Sequence, residues 1–209
     1  MSEVRSLSRL GVMGGTFDPI HVGHLIAGTE ALHEFDLDLI VFVPTGQPWQ
    51  KKEYSNPEDR FMMTVLGTAA HPMFAVSRME LDRRGPTYTA DTMKQLRTIY
   101  SDRVSFFFIA GADAILQLGT WERLHELKDL TEMIAVTRPG FDLESLSPEP
   151  GWPQVHQLEM PLIDVSGSEI RARVRRGKPI DFLVPGAVRD YIRSHGLYTA
   201  PAEKHGDVA

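Results

Sequence analysis

Two stretches restrict the fold of this chain more than anything else in it: "DLIVFVP" at 38–44 and "VSFFFIAG" at 104–111. Each is a nearly continuous run of branched and aromatic residues, with no polar side left for solvent. That is the pattern of a strand buried on both faces, hence of a parallel sheet covered by helices on either side. Weaker runs of the same kind stand at Leu10–Met13, Phe74–Val76, Met133–Thr137 and Val155–Leu158. The two strong ones fall at Leu39–Val43 and Val104–Ile109. Helical patterns lie between them, at Val22–Phe35, Pro57–Ala70, Tyr88–Tyr100, Ala112–Leu118 and Glu122–Leu127. The third letter-group, "NPEDRFMMTVLGTAAH", carries its own start signal: Asn56 to cap, Pro57 at the first helical position, acids in the first turn.

Strand–helix alternation of this kind predicts an α/β fold, a Rossmann-like doubly wound parallel sheet. Such sheets bind ligands beyond the carboxyl ends of their strands. After Thr137 the pattern loosens into "RPGFDLESLSPEPGWPQ", which reads as a surface loop. Helices near Ser166–Arg175 and Pro185–His195 then predict a small C-terminal helical segment. No linker separates domains, so residues 1–199 are expected to form one domain and 200–209 a frayed tail.

The chain has 22 basic and 28 acidic residues, a net charge of −6, so it has no general pull toward nucleic acid or anionic membrane. An anion site must therefore be local. Cysteine is absent, which excludes disulfides, thiolate metal sites and cysteine nucleophiles. The N-terminus lacks the apolar core of a signal peptide, and no apolar run approaches the ~18 residues of a membrane span. The expected location is cytoplasmic.

The densest chemistry is "MGGTFDPIHVGH", Met13 to His24, at the junction of the first strand and first helix. A glycine pair there lets the backbone turn tightly and approach a bulky anion. The helix start offers N–H groups and the positive end of its dipole. His21 and His24 are three apart, so they project to one side. Imidazoles there can donate to phosphate oxygens, and as cations can offset charge in phosphoryl transfer. The stretch is neither a Walker loop nor G-x-G-x-x-G. Zinc lacks the Glu of H-E-x-x-H and a third ligand. A plain turn with two polar residues remains open on spacing alone.

In its full form, G-G-x-F-D-P-x-H-x-G-H, the stretch resembles the nicotinate-nucleotide adenylyltransferases, nucleotidyltransferases with the H-x-G-H signature. The resemblance runs from about Leu10 to about Tyr198 and rests on several separated motifs in the family's order. It implies that His21 and His24 hold ATP phosphates, with Gly14, Gly15, Thr16 and Phe17 in the adjacent loop. In "VPTGQPWQKKEYS" it places Lys51, with Lys52 as fallback, on the phosphates. In "RRGPTYTADTMKQL" it sets Tyr88 and Thr89 against the pyridine carboxylate, although Thr89 as helix cap explains the segment equally. In "FFFIAGADAILQLGTWERL" it gives Asp113 the ribose hydroxyls and Trp121 the nicotinate ring. Ser166 and Glu169 read as a capping box; the resemblance adds Ser166, Ser168 and Arg171 as a clamp on the ATP phosphates, with Gly167 where the family usually has Ser. Arg173, Arg175, Arg176 and Lys178 read as a mostly solvated face.

The implied reaction joins ATP to nicotinate mononucleotide, giving deamido-NAD and pyrophosphate. Catalytic roles fall to His21, His24, Lys51 and Arg171. Mg2+ is expected on the triphosphate, held mainly by phosphate oxygens and water, with no protein metal site. Alternatives are another phosphate acceptor, such as nicotinamide mononucleotide, or a non-catalytic nucleotide sensor on the same fold. Neither nucleic acid nor membrane is an expected partner, and the sequence leaves a homo-oligomer open.

Overall fold

A computed structural model describes residues 7–47, 54–101, 103–137, 150–161 and 163–199. The expected tail at 200–209 lies outside these residues, as do Lys51 and Lys52. Six strands form one sheet: β1 (Arg9–Gly15), β2 (Leu39–Pro44), β3 (Phe74–Val76), β4 (Ser105–Gly111), β5 (Glu132–Val136) and β6 (Val155–Leu158). Their order is β3-β2-β1-β4-β5-β6, and every pairing is parallel. The predicted α/β fold, a Rossmann-like doubly wound sheet, is the one found.

The helices are α1 (Val22–Glu34), α2 (Pro57–Thr68), α3 (Thr89–Tyr100), α4 (Ala112–Ile115), α5 (Leu124–Leu127), α6 (Gly167–Arg175) and α7 (Gly186–Ser194). Strand alternation divides the core in two. Phe107 and Ile109 point to one face with Met13, Ile40 and Phe42, where α1, α2, α6 and α7 pack. Phe106 and Phe108 point to the other with Leu10, Val12 and Val41, under α3, α4 and α5. This is why β4 reads as unbroken apolar sequence: both of its faces are covered. No described helix is long and apolar enough to cross a membrane.

The chain builds outward from β1 through α1 and α2, then returns under the sheet by α3 to start β4 beside β1. Connections leaving β1 and β4 therefore diverge to opposite faces. Such a switch point opens a crevice at the carboxyl ends of the two strands. The Gly14–Gly15 pair lies there, still inside β1 and paired with Val43 and Pro44. The expected tight turn at the glycines is instead made further on, with Phe17 at φ 47.

At the opposite end of the sheet, Asp38 is buried just before β2. Its Oδ2 accepts the backbone N–H groups of Ser8 and Arg9 and the Ser8 hydroxyl at 2.8–2.9 Å. This carboxylate fixes the entry of β1 and touches nothing at the switch point. Asp38→Ala is expected to destabilise the fold by about 1.5–3 kcal/mol, since charge-assisted bonds are lost and donors left behind. Denaturant unfolding should show that loss, while turnover of the folded variant stays at the wild-type level.

Candidate active site

Two clefts open on either side of the β1–β4 boundary and share Gly14, Ala110 and Asp113. The larger, of about 320 Å3, lies on the α3 side. Its walls include Gly15, Thr16, Glu80, Thr87, Tyr88, Thr89, Phe108 and Trp121. The smaller, of about 120 Å3, lies on the α1 side, with Gly23, His24, Ile109, Ile163 and Val165. Asp113 is exposed on the saddle between them.

The glycines are needed here for closeness. A Cβ on Gly14 would stand 2.7 Å from the Phe108 ring, and one on Gly15 would stand 2.9 Å from the Phe17 ring. Phe17 does not offer its side chain to a ligand: it is buried, wedged edge-on beneath His24 at 5.0 Å and against Phe42 at 5.8 Å. Its place in the motif is to support an imidazole.

His21 caps α1 and His24 is the third residue of that helix. Their rings stack, with centroids 3.7 Å apart. The His21 backbone N–H donates to His24 Nδ1 at 3.2 Å. Because a backbone N–H can only donate, Nδ1 is the acceptor, and the neutral ring carries its proton on Nε2. His24 is thus arranged as a neutral donor. The Val22 N–H is engaged by the Leu183 carbonyl at 3.0 Å, so the helix start has fewer backbone donors for an anion than its sequence suggests.

α6 approaches the same loop. Arg171 Nη1 donates to the Asp18 carbonyl at 2.6 Å and lies 3.8 Å from the Asp18 carboxylate. A Cβ on Gly167 would meet that carbonyl at 2.8 Å, so the glycine permits the contact. Ser166 caps α6, accepting the Glu169 N–H at 3.2 Å, and its hydroxyl meets that of Ser168 at 3.0 Å. The Glu169 carboxylate lies 3.9 Å from Arg173. Ser166, Ser168 and Arg171 do not line either cleft but stand beside Val165, which does. Arg175, Arg176 and Lys178 are exposed, as expected of a solvated face.

On the larger cleft, Tyr88 rather than Thr89 is the N-cap of α3; Thr89 is the first helical residue. The Trp121 indole stands edge-on to Phe108 at 5.8 Å and 89°, leaving it half-buried at the cleft wall. Lys51 cannot be placed, because it lies outside the described residues.

Four residues that the sequence did not single out hold this arrangement. Arg60 is fully buried and donates to the carbonyls of Thr16 (2.9 Å), Ser55 (3.2 Å) and Gly46 (3.3 Å). Burial pulls its pKa down and the neighbouring Asp18 pulls it back, so it remains a cation. Asp18 is buried and accepts the Tyr198 hydroxyl at 2.6 Å and the Ser55 N–H at 3.1 Å. Burial and the Asp18 charge push the Tyr198 hydroxyl up, keeping it a donor. Glu80 is buried at the larger cleft and accepts the Thr92 hydroxyl at 2.6 Å. Burial pushes its carboxyl up, against the hydroxyls of Thr92 and Thr87, Arg83 and the Gly46 N–H.

The cytidylyltransferase-like family model matches residues 12–173. A relative from Clavibacter michiganensis, named "Probable nicotinate-nucleotide adenylyltransferase", is 51% identical over 92% of this chain and 95% of its own. One of the same name from Leifsonia xyli is 50% identical over 95% of this chain and 98% of its own. The chain belongs to the nicotinate-nucleotide adenylyltransferase family. Among solved structures, the Plasmodium falciparum nicotinic acid mononucleotide adenylyltransferase complexed with NaAD superposes with a TM-score of 0.73. It covers 91% of this chain and 97% of its own at 21% identity, a likeness of fold.

Glu80 gives this adenylyltransferase an unusual pH signature. Its folded-state pKa is raised above the ordinary 4.5, so the folded chain binds the proton more tightly than the unfolded chain. Raising pH from 4.5 through the raised value therefore favours unfolding. Wild type should lose thermal stability relative to Glu80→Gln across that interval, with the difference levelling off above it. A difference that grows in favour of wild type as pH rises would contradict this.

Proposed function

We propose that the enzyme transfers the adenylyl group of ATP to nicotinate mononucleotide, giving deamido-NAD and pyrophosphate, a step of NAD biosynthesis. The observation that carries this reading is the pair of clefts meeting at Gly14, Ala110 and Asp113, with the stacked histidines beside the junction. A dinucleotide has two nucleoside halves joined at phosphates, and this site has two chambers joined at a glycine-lined saddle. The sequence motifs and the names of the relatives support the same substrate pair.

The adenosine half fits the smaller cleft, against Gly23, Ile163 and Val165. The pyridine half fits the larger, with its ring on Trp121 and its carboxylate at Tyr88 and Thr89. Asp113 faces both clefts and suits ribose hydroxyls. The phosphates then lie over Gly14, Gly15 and Thr16, with His24 on one side, while His21 is buried, lines neither cleft and stacks against the His24 ring. Lys51, Ser166, Ser168 and Arg171 supply further contacts to the ATP phosphates. Magnesium enters on the triphosphate as part of the nucleotide substrate.

The reaction is a direct displacement. A phosphate oxygen of nicotinate mononucleotide bonds to the α-phosphorus of ATP, and the bond to the β-phosphate oxygen breaks, releasing pyrophosphate. That nucleophile is already ionised, so no general base is required. The protein contributes orientation and donors aimed at developing charge. His24 Nε2–H is such a donor, held by its Nδ1 bond and by Phe17 beneath it. Nucleotide substrates and a cysteine-free chain fit a cytoplasmic setting.

Pyrophosphate release, measured with ATP plus nicotinate or nicotinamide mononucleotide, tests this directly. Turnover is expected with both ATP and the acid present, and ATP bound without pyrophosphate release would overturn the reading. His24→Ala should lower kcat by roughly 100- to 1,000-fold, the usual cost of one transition-state donor, without unfolding the chain.

A further inference from the structure

The larger cleft has two walls from distant parts of the chain: Tyr88 and Thr89 at the start of α3, and Trp121 in the turn before α5. Neither element is covalently near the other, and Trp121 sits on a short irregular stretch. Something must set the distance between them.

Arg123 lies two residues after Trp121. Its backbone is left-handed, at φ 61, a strained conformation for a side chain of this size. Its guanidinium donates through Nη1 to Asp91 Oδ1 at 2.5 Å, and Asp91 is two residues after Thr89. The other edge of the fork grips Glu126, with Nε to Oε1 at 2.6 Å and Nη2 to Oε2 at 2.9 Å. Glu126 also receives Lys94 from α3. Two residues of α3 and two from the α5 region thus form a chain of charges, Asp91–Arg123–Glu126–Lys94, that crosses between the two elements twice. These side chains are partly exposed, between 23% and 48%. Ion pairs so placed add little to stability. A network that contributes little stability, holds a strained residue, and spans the two walls of a cleft has geometry as its use.

We propose that Arg123 is a positioning residue, clamping α3 to the Trp121 turn so that the two walls hold the pyridine half of the substrate. This rests on the substrate reading above. Arg123 does not line the cleft, so it acts through Tyr88, Thr89 and Trp121.

Arg123→Gly separates the clamp from the fold, because glycine adopts this φ without strain. The variant is expected to keep its thermal midpoint. Its KM for nicotinate mononucleotide should rise roughly three- to tenfold, with kcat and the KM for ATP within about twofold of wild type. Arg123→Lys, a point charge without the fork, should restore only part of the loss. Asp91→Asn should give the same selective shift, and the Arg123→Gly/Asp91→Asn pair no more than either alone. An unchanged KM for nicotinate mononucleotide in Arg123→Gly, or equal loss toward both substrates, would overturn the clamp. Wild-type turnover is measured first: if wild type releases no pyrophosphate, it is the substrate reading that fails, and a normal wild type beside an unaffected variant sinks the clamp alone.

Discussion

The guanidinium of Arg60 reaches three backbone carbonyls from inside the protein: Thr16 after β1, Gly46 after β2, and Ser55 at the approach to α2. Loops carry backbone polar groups that need partners wherever water is excluded. Arginine meets that need with several donors fixed in one plane, and it cannot shed its charge. One side chain thereby fastens the loops that leave two neighbouring strands at the ligand end of the sheet. Asp18, close enough to stabilise the cation, gathers Ser55, Arg171 and Tyr198 around the same point. The histidines follow three and six residues after Asp18, so their position beside the saddle depends on this knot.

Above that foundation the site is a consequence of topology. Helices that leave β1 and β4 toward opposite faces open two chambers, and glycine at the end of β1 keeps the floor between them low. A transfer between two nucleotides needs the reacting phosphates to meet at one place while the nucleosides point apart. The fold supplies that division without any covalent chemistry from the protein. What it must supply is alignment, which is why so many of the contacts found here run from side chain to loop backbone.

All six strands were legible in the sequence, β2 and β4 most plainly because burial on both faces leaves an unbroken apolar run, whereas the edge strands β3 and β6 are short and only partly buried. The helix starts at Asn56 and Ser166 were legible for a similar reason, since a cap and its partner lie within three residues. The Gly-Gly motif was assigned a turn that the backbone makes at Phe17, and Thr89 a cap that falls to Tyr88; both are shifts of one or two positions that depend on packing. Arg60 and Glu80 carry no local sequence signal of their roles. Tyr198 stood at the edge of an expected tail. Their partners lie up to 180 residues away, and no window of sequence shows such a pairing. Arg123 was equally silent: its strain and its bond to Asp91 exist only in the folded chain.

The central claim is that one dinucleotide spans both clefts. The direct measurement is a crystal structure of the enzyme with deamido-NAD. The account predicts the adenosine half against Gly23 and Val165, the phosphates over Gly14 beside His24, and the nicotinate ring on Trp121. A product with both halves on one side of the β1–β4 boundary, or with its phosphates remote from His24, would contradict it.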